Sequence, residues 1–291
     1  MKMSMKIYVY VTIIKFICSS LGVMCNVNVS EDFSATLDHP MNRNTKRMGI
    51  FHSEQEILDM LGEELVRGTH NVSDLLKTYK EECVSLSANI QNTGTDRMRR
   101  PFIVIESNYR PPRKLLAKQL ADILNGYYIS VPPRCLREYL YTFEFNPRMR
   151  RAYFGLAVYA AAHEARSSYY DKPVICSGYW ADQTTFAIAK EYELDDLPEK
   201  GDSVYTWPSD LLKPDVSFLL NVPSSELEPQ ETIPFPDDFQ RKRLRAFKRL
   251  RKPRLREIKE IYYYDTILAV MQSQMLDIFM HPRWKAKNVR Y

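Results

Sequence analysis

The fold of this 291-residue chain is decided by the stretch Phe102-Ile103-Val104-Ile105-Glu106-Ser107-Asn108-Tyr109-Arg110-Pro111-Pro112-Arg113-Lys114-Leu115. Its first four residues form a continuous apolar run, which is typical of a strand buried in a parallel sheet. From Lys114 to Leu124, leucine and isoleucine recur on one helical face. The sequence therefore predicts a buried strand, a sharp turn and a helix, in that order.

Short apolar runs and helical patterns then alternate toward the carboxyl terminus. Strands are predicted over 127–130, 172–176 and 216–221, and a long alanine-rich helix over 147–168. Alternation at this spacing favours an α/β fold with three layers, in which a parallel sheet carries helices on both faces. A further apolar helix is predicted over 260–280.

Upstream of this region, the composition divides the chain into a leader, an extension and a main domain. Residues 26–99 combine polar linker sequence with two amphipathic patterns, over 53–67 and 72–90, which predict a small helical extension. The polar segment before residue 100 is interpreted as the boundary, so residues 100–291 form the main domain. Hydrophobic residues make up 45% and charged residues 26% of the chain, which excludes a disordered or collagen-like protein.

Residues 1–25 contain no acidic residue and are mostly apolar after Lys6, which is typical of a signal peptide. Lys15 interrupts the apolar run, so a membrane anchor is less favoured and no stable membrane span is expected in the mature chain. An organellar presequence is the other alternative, although such presequences are rich in arginine and this segment has none. The leader favours the secretory pathway or an extracellular location.

Three cysteines follow the leader, Cys83, Cys135 and Cys176, and their spacing matches no metal site. Buried free thiols are the simpler interpretation, and one disulfide with a spare thiol is the alternative. Asn28 and Asn71 each begin a glycosylation sequon, which has meaning only if the chain enters the secretory pathway.

The stretch from Phe102 to Leu220 resembles the thymidylate kinase superfamily, and within it the mitochondrial-type UMP-CMP kinases. Five further segments carry the likeness: Val131-Pro132-Pro133, Arg150-Arg151-Ala152-Tyr153-Phe154, Pro173-Val174-Ile175-Cys176, Tyr179-Trp180 and Trp207-Pro208-Ser209-Asp210-Leu211-Leu212-Lys213-Pro214-Asp215. The resemblance implies a P-loop kinase fold, a homodimer formed through helices, and a mitochondrial location as the alternative to secretion.

The phosphate-loop positions implied by the resemblance are Ser107, Asn108, Tyr109, Arg110, Pro111, Pro112, Arg113 and Lys114. Ser107 and Pro112 replace the two glycines of the motif, and proline has no N–H with which to hold a phosphate. Arg113 replaces the lysine, and differs from it in reach and shape. Lys114 replaces the magnesium ligand, and an ammonium group repels the ion. The loop is therefore interpreted as degenerate.

Two further elements with which the family binds ATP, the phosphate donor, are altered. Ser177 and Gly178 align with an Asp-Arg pair that helps to hold metal and phosphates. The lid aligns with the acidic, proline-rich segment 223–238, whose charge is wrong for stabilising phosphoryl transfer. We therefore expect no catalytic residue, no metal site and no cofactor; Mg²⁺ and ATP are expected only if the chain is an active kinase.

The acceptor side is better preserved. The resemblance implies that Arg150 and Arg151 meet a monophosphate and that Phe154 stacks on the acceptor base. The alternative is that Phe154 and its aromatic neighbour Tyr153 lie on the apolar face of an amphipathic helix and point into the protein core.

The basic run, residues 241–256, has ten cations and no acid. It is interpreted as a solvated helix packed through Leu244, Phe247 and Leu250, as a binding site for an anionic partner, or as a partner of the acidic segment. The anion-binding candidates are Arg245, Lys248, Arg249 and Arg251.

The leading hypothesis is a catalytically degenerate nucleoside monophosphate kinase homologue, a pseudokinase that binds a nucleotide monophosphate or another phosphorylated ligand. The first alternative is an active kinase that transfers phosphate from ATP. The second is an anion-binding surface protein built on the basic run.

Overall fold

The structure is a computed structural model that describes residues 45–88, 99–221, 237–258 and 264–279. The leader 1–25, the sequon at Asn28 and residues 223–236 of the acidic segment lie outside the described residues.

A parallel sheet of five strands forms the centre of the fold, in the order β2-β3-β1-β4-β5. The strands are β1 Phe102–Ser107, β2 Tyr127–Ser130, β3 Val174–Ser177, β4 Val216–Leu220 and β5 Leu255–Ile258. Ile103 of β1 lies between Ile175 of β3 and Val216 of β4. Strand β5 was not predicted, because it lies in the basic run and two of its four residues are charged.

The α-helices around the sheet are α1 Glu54–Val66, α2 Val72–Thr78, α3 Ser85–Ala88, α4 Arg110–Ile123, α5 Pro147–Ser168, α6 Trp180–Glu191, α7 Asp237–Arg249 and α8 Tyr264–Phe279, and residues 45–48 are also helical. A π-helical turn, Tyr79–Val84, joins α2 to α3, and 3₁₀ turns occupy Arg134–Tyr141 and Ser203–Tyr205.

The alternating side chains of β1 show why the sheet is covered on both faces. Phe102 and Val104 enter one hydrophobic core, which also contains residues of α5 and α6. Ile103 and Ile105 enter the other, which also contains residues of α4 and α8. Both faces are apolar because both are buried, which gives the predicted α/β fold with three layers.

The helical extension shares the first of these cores. Ile57 and Phe51 approach α5 at Gly155, where a Cβ atom would meet the Phe51 ring at 2.8 Å and Ile57 Cδ1 at 3.1 Å. A disulfide joins Cys83 in the π-helical turn to Cys135 in the 3₁₀ turn after β2, with their Cα atoms 5.8 Å apart. The prediction of three free thiols is therefore wrong for this pair.

Candidate functional site

A pocket of about 910 Å³ opens beside the carboxyl ends of β1 and β3, which is where ligands bind in open parallel sheets. Its walls come from the turn after β1, from α4, α5, α6 and α7, and from Met48 and Gly49 of the extension. The pocket therefore brings the predicted phosphate loop and the predicted acceptor residues together.

The turn after β1 is short, because α4 begins at Arg110 rather than at Lys114 as predicted. Proline is favoured in the first turn of a helix, and both Pro111 and Pro112 lie there. Only Asn108 and Tyr109 separate the strand from the helix, and Oγ of Ser107, the last strand residue, accepts a hydrogen bond from the Tyr109 N–H at 3.0 Å. This turn lacks the run of free N–H groups with which a glycine-rich loop surrounds phosphates.

Arg113 is the centre of a buried charge cluster formed by Glu106, Arg113, Asp182 and Arg243. Its Nη1 atom lies 2.7 Å from Asp182 Oδ1 and 3.9 Å from Glu106 Oε2. Arg243 Nη2 donates to the same Asp182 oxygen, and its Nη1 donates to the Asn108 carbonyl at 3.2 Å. The cluster ties α4, α6 and α7 together at the end of the sheet.

The pKa values of the two carboxylates in the cluster are shifted in opposite directions. Burial, together with the charge of Asp182, raises the pKa of Glu106 to about 8. Burial also opposes ionisation of Asp182, but Arg113 and Arg243 outweigh it and lower the pKa of Asp182 to about 2. Asp182 is therefore the ionised partner of both arginines, whereas burial holds the pKa of Glu106 well above its ordinary range.

Lys114, Ser177 and Gly178, the other altered positions at the predicted ATP-binding side, do not form a metal site. Lys114 is exposed on α4, and Ser177 is buried at the end of β3. Gly178 has φ +73°, and a Cβ atom there would lie 2.6 Å from the Arg113 Cζ. Gly178 thus leaves the space that the guanidinium fills. Among the described residues, no group of three or more His, Cys, Asp or Glu side chains is placed to hold a metal ion.

The acceptor candidates Arg150, Arg151 and Phe154 also line the pocket. The Arg150 guanidinium lies 5.6 Å from the centre of the Phe154 ring, and both side chains are half-buried. Arg151 donates to the Arg47 carbonyl and packs against Gly49, so the extension holds its side chain. Tyr153, by contrast, is a core residue whose hydroxyl donates to the Leu136 carbonyl.

Sequence reasoning missed Asp182, Lys190 and Arg243, all of which line the pocket. Asp182 lies two residues after Trp180, next to a segment that carries the family resemblance, and Arg243 lies in the basic run. Position in the sequence was therefore the available signal for both residues. Their pairing joins residues 61 positions apart, and only the tertiary fold shows it.

The basic run is divided between α7 and β5. Phe247 and Leu250 are buried and Leu244 is partly buried. Carbonyls in the segment 194–200 accept hydrogen bonds from three of the anion-binding candidates, Arg245, Arg249 and Arg251. The fourth, Lys248, lies 3.1 Å from the Glu257 carboxylate. Of the acidic segment, Asp238 is described, and it pairs with Arg241 and Lys242.

None of the described helices is both long enough and apolar enough to span a membrane.

No family model matches the chain. The sequence is 35% identical to human mitochondrial UMP-CMP kinase 2 over 127 residues, which are 43% of this chain and 28% of the human protein. The chain therefore matches well under two thirds of that relative's length. The solved structure of thymidylate kinase from Candida albicans aligns with a TM-score of 0.48 and 17% identity, over 62% of this chain and 92% of that one. Over these 127 residues the chain is similar to a UMP-CMP kinase.

Proposed function

We propose that this protein is a nucleoside monophosphate kinase-like pseudokinase, which has lost phosphoryl transfer from ATP and binds a nucleotide monophosphate in the pocket. The observation that carries the proposal is the position of Arg113. In a working loop the corresponding cation faces the phosphates of ATP, whereas here it is buried and paired with Asp182 at 2.7 Å.

Within the described residues, the turn after β1 and the start of α4 supply no replacement for the phosphate-binding role that Arg113 does not fill. Pro111 and Pro112 have no N–H to donate, and the exposed ammonium of Lys114 cannot ligate Mg²⁺. The residues present do not fit Mg-ATP, so we assign the metal no role in this protein.

The acceptor wall supports binding of a smaller anion with an aromatic group. Arg110, Arg150 and Lys190 present positive charge to the pocket, and Phe154 and Phe186 present half-buried rings. Guanidinium groups bind phosphate through paired hydrogen bonds, and a ring can stack on a base. A nucleoside monophosphate matches this combination of charge and rings.

Thermal-shift titration of the purified chain tests the proposal, because a ligand that binds the native state raises the melting temperature. UMP, CMP or dTMP is expected to raise it, and Mg-ATP is not. Arg150→Ala should lose the shift, whereas Arg148→Ala, which removes an exposed cation paired with Glu63, should retain it. A shift with Mg-ATP, with phosphate transfer that is lost in Arg113→Ala, would establish the active kinase instead.

For the compartment, we infer an oxidising environment and favour the secretory pathway. The Cys83–Cys135 disulfide supports this, since such bonds are rare in reducing compartments. Asn71 is exposed in the turn before α2, as a glycosylated asparagine must be. In cells, N-glycosidase should reduce the mass of Ser30→Ala, which keeps the Asn71 sequon and lacks the one at Asn28, and leave the double variant Ser30→Ala/Ser73→Ala unchanged. An unglycosylated chain recovered with mitochondria would support the alternative that the human relative's name suggests.

A further inference from the structure

A second concave surface lies beside the amino ends of β4 and β5, away from the pocket just described. It consists of a groove of about 860 Å³, lined by residues 213–217 and 251–257, and an adjoining one of about 540 Å³ that reaches Lys200. The two share the residues Arg251, Arg254, Leu255 and Glu257. We call this surface the basic groove.

Four exposed cations give the basic groove its charge: Lys200, Lys213, Lys252 and Arg254. Within the part of the chain that the structure describes, the charged groups of these four side chains have no hydrogen-bond or ion-pair partner. The acids of the groove are already occupied, since Asp215 accepts from Arg99 at 2.7 Å and Glu257 pairs with Lys248. The positive charge of the groove is therefore not neutralised internally.

Other cations of the groove are held in place by backbone carbonyls. Arg251 Nη2 donates to the Lys200 carbonyl at 3.3 Å, and Arg256 donates to the Gln274 carbonyl of α8. These bonds fix the walls between which the free cations lie. An anionic ligand would meet a groove whose shape is already formed, which reduces the entropy cost of binding.

We propose that the basic groove binds a linear sulfated polysaccharide. A concave groove with cations along both walls suits a flexible polyanionic chain better than a flat membrane surface, which cannot enter it. Binding of single-stranded nucleic acid relies on exposed aromatic rings, and Phe247, the aromatic residue among the described lining residues, is only 1% exposed. The inferred oxidising compartment also favours a partner outside the cytosol.

Fluorescence anisotropy with a labelled, size-defined heparin oligosaccharide tests the proposal on the full chain. Replacing Lys213, Lys252 and Arg254 together by alanine should weaken binding about tenfold or more and make the dependence of affinity on salt shallower. The matched control replaces three exposed cations elsewhere, Lys77, Lys80 and Lys172, and so removes the same charge. This control should bind heparin with nearly wild-type affinity.

Two results would overturn the proposal. Equal loss of affinity in the two triple variants would show that heparin responds to net charge rather than to the basic groove. Tighter binding of duplex DNA or RNA than of heparin, lost in the groove variant, would assign the surface to nucleic acid. Melting temperatures of both variants verify that the exposed substitutions leave the fold intact.

Discussion

The guanidinium of Arg113 and the carboxylate of Asp182 are joined at 2.7 Å, and the Asp182 oxygen that Arg113 contacts also accepts from Arg243. One carboxylate thus pairs with cations from both α4 and α7. A phosphate group entering at this point would have to displace Asp182 from its arginines. Under the proposed function, this internal pairing occupies the Arg113 guanidinium in place of a phosphate.

Asp182→Asn is expected to destabilise the protein strongly. Removing one partner of a buried ion pair leaves an uncompensated charge, at a cost of about 3–5 kcal/mol, and here two guanidinium groups lose the same partner. Urea denaturation monitored by tryptophan fluorescence gives the change in the free energy of unfolding.

The control for this substitution is Arg148→Ala, which breaks an exposed ion pair with Glu63. Pairs of that kind contribute about 0–1 kcal/mol. If Asp182→Asn lost no more stability than this control, the charge cluster would not be a structural element.

The stability of the protein should fall as the pH rises through the neutral range. In the folded state the pKa of Glu106 is raised from its ordinary value of 4.5 to about 8, chiefly by burial. Between these values the folded state binds more protons than the unfolded state, so the free energy of unfolding decreases with pH. The slope contributed by one such group is at most about 1.4 kcal/mol per pH unit, and denaturation curves at several pH values measure it.

Glu106→Gln removes this titration and should flatten the slope between pH 4.5 and about 8. Asp182 gives the opposite sign at lower pH, because its pKa is lowered from 3.8 to about 2 and its contribution is lost as the pH falls through that range. A variant slope equal to that of the wild type would show that Glu106 titrates normally in the folded state.

Much of the sheet could be predicted because its central strands are buried on both faces. The run at 102–105 is continuously apolar, and the run at 216–220 is apolar except for Ser217. Such runs can be recognised in the sequence without tertiary information. Strand β5 was missed because charged residues dominate its surroundings, and its pairing with β4 decides its structure. The early start of α4 was also missed, although Pro111 and Pro112 were a usable signal for a first helical turn.

Only some of the site residues could be identified from the sequence. Glu106, Arg113 and Gly178 lie in or next to quoted motifs, so they could be singled out. Asp182 and Arg243 act through contacts between helices distant in sequence, and no local pattern encodes such contacts. The same holds for Cys83 and Cys135, whose pairing over 52 residues cannot be deduced from their spacing alone.

Gly178→Ala should destabilise the protein by about 1–3 kcal/mol. An alanine at φ +73° is strained, and its Cβ would lie within 2.6–2.7 Å of three guanidinium atoms of Arg113. Gly62→Ala is the matched control, because Gly62 lies inside α1 and a Cβ there meets no atom within 4 Å. That control should stabilise α1 by about 0.5–1 kcal/mol, and two similar effects would contradict the close contact between Gly178 and Arg113.

Reduction of the Cys83–Cys135 disulfide should lower the melting temperature. The bond closes a loop over a sequence separation of 52 residues, and a cross-link of that span stabilises the folded state by about 4 kcal/mol in the chain-entropy description. The wild-type chain should therefore melt lower with a thiol reductant than without it. The double variant Cys83→Ser/Cys135→Ser should melt at the lower temperature in both conditions. Cys176 is buried in β3, where burial raises the pKa of its thiol, so it should not replace either partner. A wild-type melting temperature that does not respond to reductant would show that the extension is held by packing alone.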